Sequence, residues 1–270
     1  MKKVLLIVSV LLLGLSLSAC QKKWEIADDA TEIIVAASPT PHAEILRACV
    51  PLMAEKGYTL KVKEFTDYVL PNTATEDGSV GANYFQHTPY LDEFNELNNT
   101  HLVSVGKIHY EPFGIYAGKA NSIKNLPEGS KIVVPNDGTN EARALLLLEQ
   151  VGLITLKDGV GLSATKIDIA DDHGYEIIEA EAAAIPSLRQ DAELVVLNGN
   201  YALGASLSVN DALAVEASDG LAAQTYANVL VVREGNENKA IVLALLECLQ
   251  SETIKNYILD TYSGSVVPSK

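Results

Sequence analysis

Apolar and polar residues along the chain follow two periods, one typical of strands and one typical of helices. Runs of β-branched and other apolar residues predict strands, which occupy residues 31–38, 58–65, 101–110, 114–118, 175–181, 193–200, 211–218 and 228–235. Apolar residues spaced by three and four predict helices, which occupy residues 42–57, 89–99, 184–190, 238–250 and 251–263. Residues 130–152 combine a strand, a short loop and a helix. The chain is therefore predicted to be α/β.

Glycine and proline mark where two of the predicted helices end or bend. The helix at residues 42–57 ends at Gly57. Pro51 lies inside its pattern and predicts a kink or a break, because proline has no N–H to donate. The helix of residues 130–152 ends at Gly152, a residue type that is common at helix C-termini.

The order of these elements predicts two lobes. Up to Tyr110 the order is βαβαβ, which is typical of a parallel sheet with helices on its faces. A second set of strands and helices follows, and after Tyr226 a strand and two helices return to the first pattern. We expect one lobe from residues 31–111 and 226–270, a second lobe from residues 112–225, and a ligand cleft between them.

The stretch Asn83–Leu91, NYFQHTPYL, is rich in aromatic residues in a chain that has few of them. Its composition is typical neither of a buried strand, which favours Val, Ile and Leu, nor of a solvated loop. Two interpretations stay open at this point. The rings either pack in a core, or they form an aromatic box that encloses an apolar or thioether side chain of a ligand.

The N-terminus has the features of a bacterial lipoprotein precursor. Two lysines precede an apolar run at residues 4–17, which is shorter than the roughly 20 residues that cross a bilayer. Residues 1–19 are therefore predicted to be a cleaved signal peptide. The Leu-Ser-Ala-Cys sequence that ends at Cys20 resembles the lipobox, whose cysteine is lipidated. We expect this lipid to hold the mature protein on a bacterial membrane, facing the periplasm or the cell exterior, through a polar tether at residues 20–30.

Charge and composition exclude several classes of function. The formal net charge is −15, so a nucleic-acid partner, which needs a basic surface, is not expected. The sequence has no glycine-rich phosphate loop and no G-x-S-x-G motif, and its histidines lack metal-ligand spacing. No metal and no cofactor is predicted. Cys49 and Cys248 lie on apolar helical faces, where buried free thiols and a disulfide both stay open.

Arg143 occupies an unfavourable position for a cation. If Asp137 or Thr139 caps the helix, Arg143 lies in or just after the first turn, where the helix dipole disfavours positive charge by a few tenths to about 1 kcal/mol. An anion should therefore compensate it. Either a side chain from elsewhere forms a surface ion pair with Arg143, or a ligand carboxylate binds to its guanidinium.

Asparagines lie at the ends of two predicted strands. Asn198 and Asn200 flank Gly199 after one strand, and Asn228 lies near Tyr226 where another begins. An amide side chain offers both an acceptor and donors, so it suits the ammonium and the carboxylate of a zwitterion. For Asn198 and Asn200, a purely turn-forming role is the alternative.

A series of motifs along nearly the whole mature chain forms the pattern of one known family. The motifs are the lipobox and, in order, PHAEIL, KEFTDYVLPN, ANYFQHTPYL, PNDGTNEARALLLLEQVGLITLKD, LNGNYA, YANVLVV and SGSVVP. Together they resemble the NlpA/MetQ family, the methionine-binding lipoproteins that serve ABC importers. The resemblance implies a periplasmic-binding-protein fold whose two lobes close on a free amino acid. It also implies delivery of methionine to a membrane permease driven by an ATPase.

The same resemblance implies roles for individual residues. It implies an aromatic wall around the methionine side chain, formed by Tyr68, Phe85, His87 and Tyr90. Arg143 matches the arginine that pairs with the ligand carboxylate. Asn198 and Asn228 match the asparagines that bond the ligand's amino and carboxylate groups.

Gly138 departs from the family pattern, which usually has proline between Asp137 and Thr139. The loop before Arg143 is therefore expected to have more conformational freedom than in relatives. Relatives differ in preferring L-methionine, D-methionine or a methionine-containing dipeptide, and the sequence leaves that choice open. The alternative function is a secreted lipoprotein enzyme acting on a small amino-acid metabolite, in which His87 would be the general base.

Overall fold

The computed structural model describes residues 25–216 and 224–269. The predicted signal peptide, the lipidated Cys20 and the first part of the tether at residues 20–30 lie outside the described residues. Within the described ranges the chain is α/β, with two lobes that each contain a sheet and helices. The predicted fold class is confirmed.

Strand and helix bounds agree closely with most of the predicted elements. The strands are β1 (Glu32–Ala37), β2 (Thr59–Glu64), β3 (Ala82–His87), β4 (Leu102–Tyr110), β5 (Gly114–Ala117), β6 (Lys131–Pro135), β7 (Thr155–Leu156), β8 (Ile169–Asp171), β9 (Glu176–Ala180), β10 (Leu194–Leu197), β11 (Ala212–Val215), β12 (Asn228–Arg233) and β13 (Val267–Pro268). The α-helices are α1 (Glu44–Glu55), α2 (Leu70–Glu76), α3 (Thr88–Asn98), α4 (Gly138–Gln150), α5 (Ile185–Leu188), α6 (Gly199–Gly204), α7 (Ala240–Leu249) and α8 (Glu252–Tyr262). None of the helices in the described ranges is long and apolar enough to cross a bilayer.

Each lobe is built on its own sheet. The first sheet has the order β13-β4-β12-β3-β1-β2, in which β1 pairs in parallel with β2 and β3, and β12 runs antiparallel to β3 and β4. The second sheet has the order β11-β5-β10-β6-β9, with β6 parallel to β9 and β10. Strands of the first sheet come from residues 32–110 and 228–268, and strands of the second come from residues 114–215. The lobe boundaries near residues 111 and 226 stay a prediction.

Apolar helix faces cover both sheets. Helices α1, α7 and α8 bury their apolar positions in the core of the first lobe, and α4 buries Leu145 and Leu148 in the core of the second. Cys49 and Cys248 are buried in the first core as free thiols. Of the two alternatives for these cysteines, the structure therefore has the free thiols.

Helix α1 runs through Pro51 without ending there. Proline leaves the carbonyl four residues earlier without its helical partner, and that carbonyl belongs to Arg47. Arg47 and Pro51 are both exposed. Water can therefore hydrate the unpaired carbonyl, which explains why the predicted break is absent.

The stretch Asn83–Leu91 is in fact a buried strand followed by a helix, and the expectation that it was atypical of a strand was wrong. All six residues of β3 are buried, and β3 lies between β1 and β12. Its pairing with β12 changes register between Tyr84 and Gln86, and Gln86 Nε2 donates to Asn83 Oδ1 over 2.8 Å. Both amides also bond to Asn72 on α2. Polar residues can therefore occupy a central strand because each finds a buried partner.

Two helices were not predicted from the pattern, α2 and α6. Helix α2 contains Pro71 and polar residues, so its apolar stripe is short. Helix α6 starts directly after β10, where the sequence LNGN indicated the end of a strand or a turn, and Asn198 is its N-cap residue. Both helices contribute to the surroundings of the cleft.

Candidate functional site

A cavity lies between the two lobes. Its walls come largely from the carboxyl ends of strands and the helices that follow them, which is where open α/β sheets bind ligands. The lining residues are Tyr68, Phe85, Gln86, His87, Tyr90, Glu111, Asn140, Arg143, Asn198, Gly199, Asn200 and Asn228. Every ligand-binding residue predicted from the sequence is in this set. Their binding of a ligand stays a prediction.

Aromatic rings form one wall of the cavity. The ring centroids of Tyr68 and Phe85 are 5.8 Å apart, those of Tyr68 and Tyr90 are 5.7 Å apart, and those of Phe85 and Tyr90 are 6.1 Å apart. Tyr90 Oη donates to the Tyr68 carbonyl over 3.1 Å, which fixes the two rings relative to each other. The wall presents the apolar faces and edges of aromatic rings, so it suits a thioether or an aliphatic side chain.

His87 connects the aromatic wall to the second lobe. Its Nδ1 accepts from the Tyr90 N–H over 3.2 Å and caps α3, so the ring proton lies on Nε2. Nε2 then donates to Asn140 Oδ1 over 3.2 Å. Burial, and secondarily the charge of Arg143, lowers the pKa of His87 to about 3. The ring is therefore a neutral donor at pH 7 and a poor general base.

Arg143 has a partner that the sequence did not identify. Its Nε donates to Glu216 Oε2 over 2.9 Å, its Nη2 bonds to Glu216 Oε1, and Nη2 also donates to the Glu111 carbonyl over 3.0 Å. The guanidinium carbon lies 4.3 Å from the ring centre of Tyr226 and 4.6 Å from that of Phe113. Glu216 is the anion that the helix dipole requires, but the ion pair is buried rather than on the surface.

Arg143 also contributes to the lining of the cavity. Arg143 is only 5% exposed and lines the cavity. Its hydrogen bonds to described residues use Nε and Nη2. Burial opposes its charge, but Glu216 outweighs this and raises the pKa of Arg143. A permanent cation that lines the cavity is therefore available to an anion there.

The asparagine side chains present one acceptor and one donor to the cavity. Asn198 Nδ2 donates to Asn140 Oδ1 over 2.8 Å, whereas Asn198 Oδ1 is buried without a partner among the described residues. Asn228 Oδ1 bonds with His42 Nε2 over 2.9 Å, and its Nδ2 has no hydrogen bond within the part of the chain that the structure describes. Asn200 Oδ1 accepts from Tyr68 Oη over 2.5 Å and thereby connects the lobes.

Among the residues of the site that sequence reasoning missed are Glu111, Asn140 and Glu216. Asn140 Nδ2 donates to Asp137 Oδ1 over 2.7 Å, so the helix cap also fixes this amide. The glycine at position 199 was an indirect indication of Glu111. A Cβ at this position would lie 2.8 Å from Glu111 Oε2. Glycine is thus required for the buried carboxylate to approach the start of α6.

Histidines from distant segments meet at one edge of the site, although their sequence spacing gave no indication of it. His42, His109 and Glu111 offer ligand atoms within 4.8 Å of one another, so this cluster could hold a metal ion. However, His109 Nε2 already bonds to Glu111 Oε1 over 2.7 Å, and His42 Nε2 bonds to Asn228. The atoms that would bind the ion are therefore already engaged in hydrogen bonds.

Gly138 allows a contact between the lobes. A Cβ at position 138 would collide with Glu93 Oε1, so any larger residue would displace the Glu93 carboxylate. Asp137 caps α4 by accepting from the Asn140 N–H over 3.1 Å. Gly138 therefore leaves room for the Glu93 carboxylate of α3 beside the start of the helix that carries Arg143.

The buried histidines predict how stability depends on pH. Burial lowers the pKa of His87 to about 3, of His109 to about 3 and of His42 to about 4. Because these rings gain protons only on unfolding, stability should fall as pH decreases from about 6.5 towards these values. Each ring contributes up to about 1.4 kcal/mol per pH unit. Burial raises the pKa of Glu111, which acts in the opposite direction.

His87→Asn tests this dependence, because asparagine also caps helices. Between pH 4 and 6, ligand-free urea unfolding should show a slope of stability against pH that is lower by about 1.4 kcal/mol per unit than in the parent chain. The control Val35→Ala, which weakens the core but removes no titrating group, should leave the slope unchanged. An unchanged slope for His87→Asn would show that His87 is charged in the folded protein.

The family of the chain follows from comparison with known proteins. A family model for the NlpA lipoprotein matches residues 33–270. The chain belongs to the NlpA lipoprotein family. The resemblance inferred from the motifs is thereby confirmed.

Relatives of this NlpA lipoprotein resemble it over nearly their whole length. The methionine-binding lipoprotein MetQ of Bacillus subtilis is 40% identical, over 99% of each chain. A solved lipoprotein structure from Ruminococcus gnavus is 54% identical with a TM-score of 0.88, over 89% of this chain and 100% of that one. A nutrient-binding protein from Burkholderia cenocepacia, solved bound to methionine, is 38% identical with a TM-score of 0.84, over 88% of this chain and 100% of that one.

This NlpA lipoprotein is a substrate-binding protein and not an enzyme. The alternative of a secreted enzyme with His87 as general base is therefore not supported. The lowered pKa of His87 agrees with this conclusion, because a ring with a pKa of about 3 holds no useful affinity for a proton at pH 7.

Proposed function

We propose that this chain is the substrate-binding lipoprotein of an ABC importer and that it captures methionine or a close analogue in the cavity between its lobes. One observation carries the proposal. Within one cavity between the lobes, Asn198 Oδ1, an acceptor without a partner among the described residues, lies with the guanidinium of Arg143 and the amide of Asn228 beside an aromatic wall. An acceptor, a cation and an apolar wall together match a zwitterion with an apolar side chain.

Each part of the ligand has a matching group. The ligand ammonium would donate to Asn198 Oδ1, whose buried lone pairs otherwise cost free energy. The ligand carboxylate would accept from Arg143 Nη1 and Asn228 Nδ2, and both contacts would be charge-assisted. The methionine thioether would lie against Phe85 and Tyr90, where sulfur–aromatic contacts contribute about 0.3 to 1.5 kcal/mol each.

Capture would work by closure of the lobes. Contacts already join them directly: Tyr201 Oη donates to the Thr66 carbonyl over 3.1 Å, and the rings of Tyr68 and Tyr201 lie 4.9 Å apart. A ligand that contacts both lobes adds its affinity to these contacts only in the closed form. The closed population therefore rises with ligand, to the extent that the ligand prefers that form.

The closed form would be the one that delivers methionine to the membrane permease and its ATPase. A lipid on Cys20 would keep the protein on the outer face of a bacterial membrane, within reach of that permease. A membrane-held donor meets its permease at a high effective concentration, so even weak docking suffices for transfer.

Isothermal titration calorimetry of the mature chain with L-methionine, D-methionine and glycyl-methionine tests the ligand. We expect saturable heat with at least one of them, and a stability gain of about 2.7 kcal/mol at a ligand concentration 100 times the dissociation constant. Methioninol, which lacks the carboxylate, and N-acetylmethionine, which lacks the ammonium, serve as matched control ligands and should bind more weakly. Absence of heat and of thermal stabilisation with all three test ligands would overturn the proposal.

A further inference from the structure

A chain of buried polar groups runs from the core of the first lobe to the cavity. Tyr84 Oη bonds to His109 Nδ1, and His109 Nε2 bonds to Glu111 Oε1 over 2.7 Å. His42 Nε2 lies 3.3 Å from the same Glu111 oxygen and 2.9 Å from Asn228 Oδ1. All five residues are buried. Of these five residues, Glu111 and Asn228 also line the cavity.

The position of the proton on His42 follows from its neighbours. Its Nε2 faces two oxygens, Glu111 Oε1 and Asn228 Oδ1, while its Nδ1 is buried without a partner among the described residues. Burial lowers the pKa of His42 to about 4, so the ring carries one proton at pH 7. A proton on Nδ1 would leave a buried donor unpaired and would set the Nε2 lone pair against oxygen. The proton therefore belongs on Nε2.

This proton determines which way the Asn228 amide turns. The backbone of Asn228 is held on both sides, because β12 pairs with β3 at His87 and with β4 at His109. The side-chain amide of Asn228 can still turn so that Oδ1 and Nδ2 exchange places. The residue type does not decide between these two orientations. An N–H on His42 selects the orientation in which Oδ1 faces His42. The donor Nδ2 consequently faces away from His42, on the cavity side.

We infer that His42 is a positioning residue that sets the preference of the site for a carboxylate over an uncharged carboxamide. The inference rests on the proposed function, since it concerns the ligand group that Asn228 would meet. A carboxylate offers only acceptors, so it matches a fixed donor. A carboxamide could instead present its own donor, which a fixed Nδ2 repels and a free amide would accommodate by turning.

Two variants separate positioning from folding. In His42→Gln the side-chain amide reaches the place of the imidazole Nε2, and the nearby Glu111 carboxylate favours its NH₂ end there. In His42→Asn the shorter amide does not reach that place. Both are polar and of similar volume, so they disturb the core to a comparable extent. Val35→Ala, a change in the same core away from the cavity, controls for loss of stability alone.

The measurement is the ratio of dissociation constants for L-methioninamide and L-methionine, by calorimetry at pH 7. Relative to the parent chain, His42→Asn should lower this ratio about tenfold or more, the scale of one misdirected buried hydrogen bond. His42→Gln should restore most of it, and Val35→Ala should leave it unchanged, because general destabilisation weakens both ligands alike.

The outcomes distinguish this inference from the function on which it rests. A parent chain that binds neither ligand, nor D-methionine or glycyl-methionine, overturns the proposed function and the inference with it. A parent chain that binds methionine, with the same ratio in His42→Asn as in the parent, overturns the inference alone. Failure of His42→Gln to recover the ratio while methionine still binds also overturns it.

Discussion

Replacing Glu216 with alanine is expected to lower the free energy of unfolding by about 3 to 5 kcal/mol. The substitution leaves Arg143 charged and buried, and it removes the carboxylate that accepts from Nε and Nη2. The cost comes from the unpaired cation rather than from the value of the ion pair itself, because a buried pair gains little over apolar residues. Urea unfolding of the ligand-free chain measures it.

The control is an exposed pair of the same kind. Arg47 and Glu64 form an ion pair whose side chains are 54% and 38% exposed. Glu64→Ala should change stability by no more than about 1 kcal/mol, because water and salt screen such a pair. The double variant Arg143→Met with Glu216→Leu should recover much of the stability that Glu216→Ala removes. Equal effects of Glu216→Ala and Glu64→Ala would show that Arg143 is not held by Glu216 in solution.

Arg143→Lys is expected to weaken methionine binding by about 2 kcal/mol or more. Lysine keeps the positive charge next to Glu216, but it has no second nitrogen to donate into the cavity while it does so. The ligand carboxylate therefore has no donor in the place of Nη1, although the charge remains. Calorimetry with the preferred methionine ligand gives the change in affinity.

The matched control is Arg233→Lys. Arg233 is a largely buried arginine that forms an ion pair with Glu76 and does not line the cavity. Its conversion to lysine should leave methionine affinity unchanged within about 0.5 kcal/mol. If Arg143→Lys binds methionine as tightly as the parent chain does, then Nη1 is not the carboxylate donor and the assignment of Arg143 is wrong.

Glu216→Ala and Arg143→Lys test different nitrogens of the same guanidinium. Nε and Nη2 hold Glu216 and the Glu111 carbonyl, and removing their partner should appear in stability. Nη1 is the donor that we propose for the ligand carboxylate, so removing it should appear in affinity. Glu216→Ala and Arg143→Lys should therefore affect the two measurements in different proportions.

Features of this protein that depend on neighbouring residues could be predicted from local patterns in the chain. Hydrophobic periodicity gave the bounds of β1, α1 and β12 to within a few residues, because burial of one face imposes a spacing on the chain. The place of Arg143 in the first turns of α4 indicated that an anion was required. The motifs gave the family, since each of them carries its residues in a fixed local order.

Which distant groups meet depends on how the chain folds and could not be predicted from local patterns. Glu216 is 73 residues from Arg143, and His42 is 186 residues from Asn228. Neither pair can be recognised from a local sequence pattern, because the contact between its two residues depends on how the two lobes and their sheets are assembled. Strand β3 was unrecognisable for the same reason: its amides are tolerated only through their partner Asn72 on α2. The direction of a buried amide has no counterpart in residue type, and it is the surrounding hydrogen bonds that determine it.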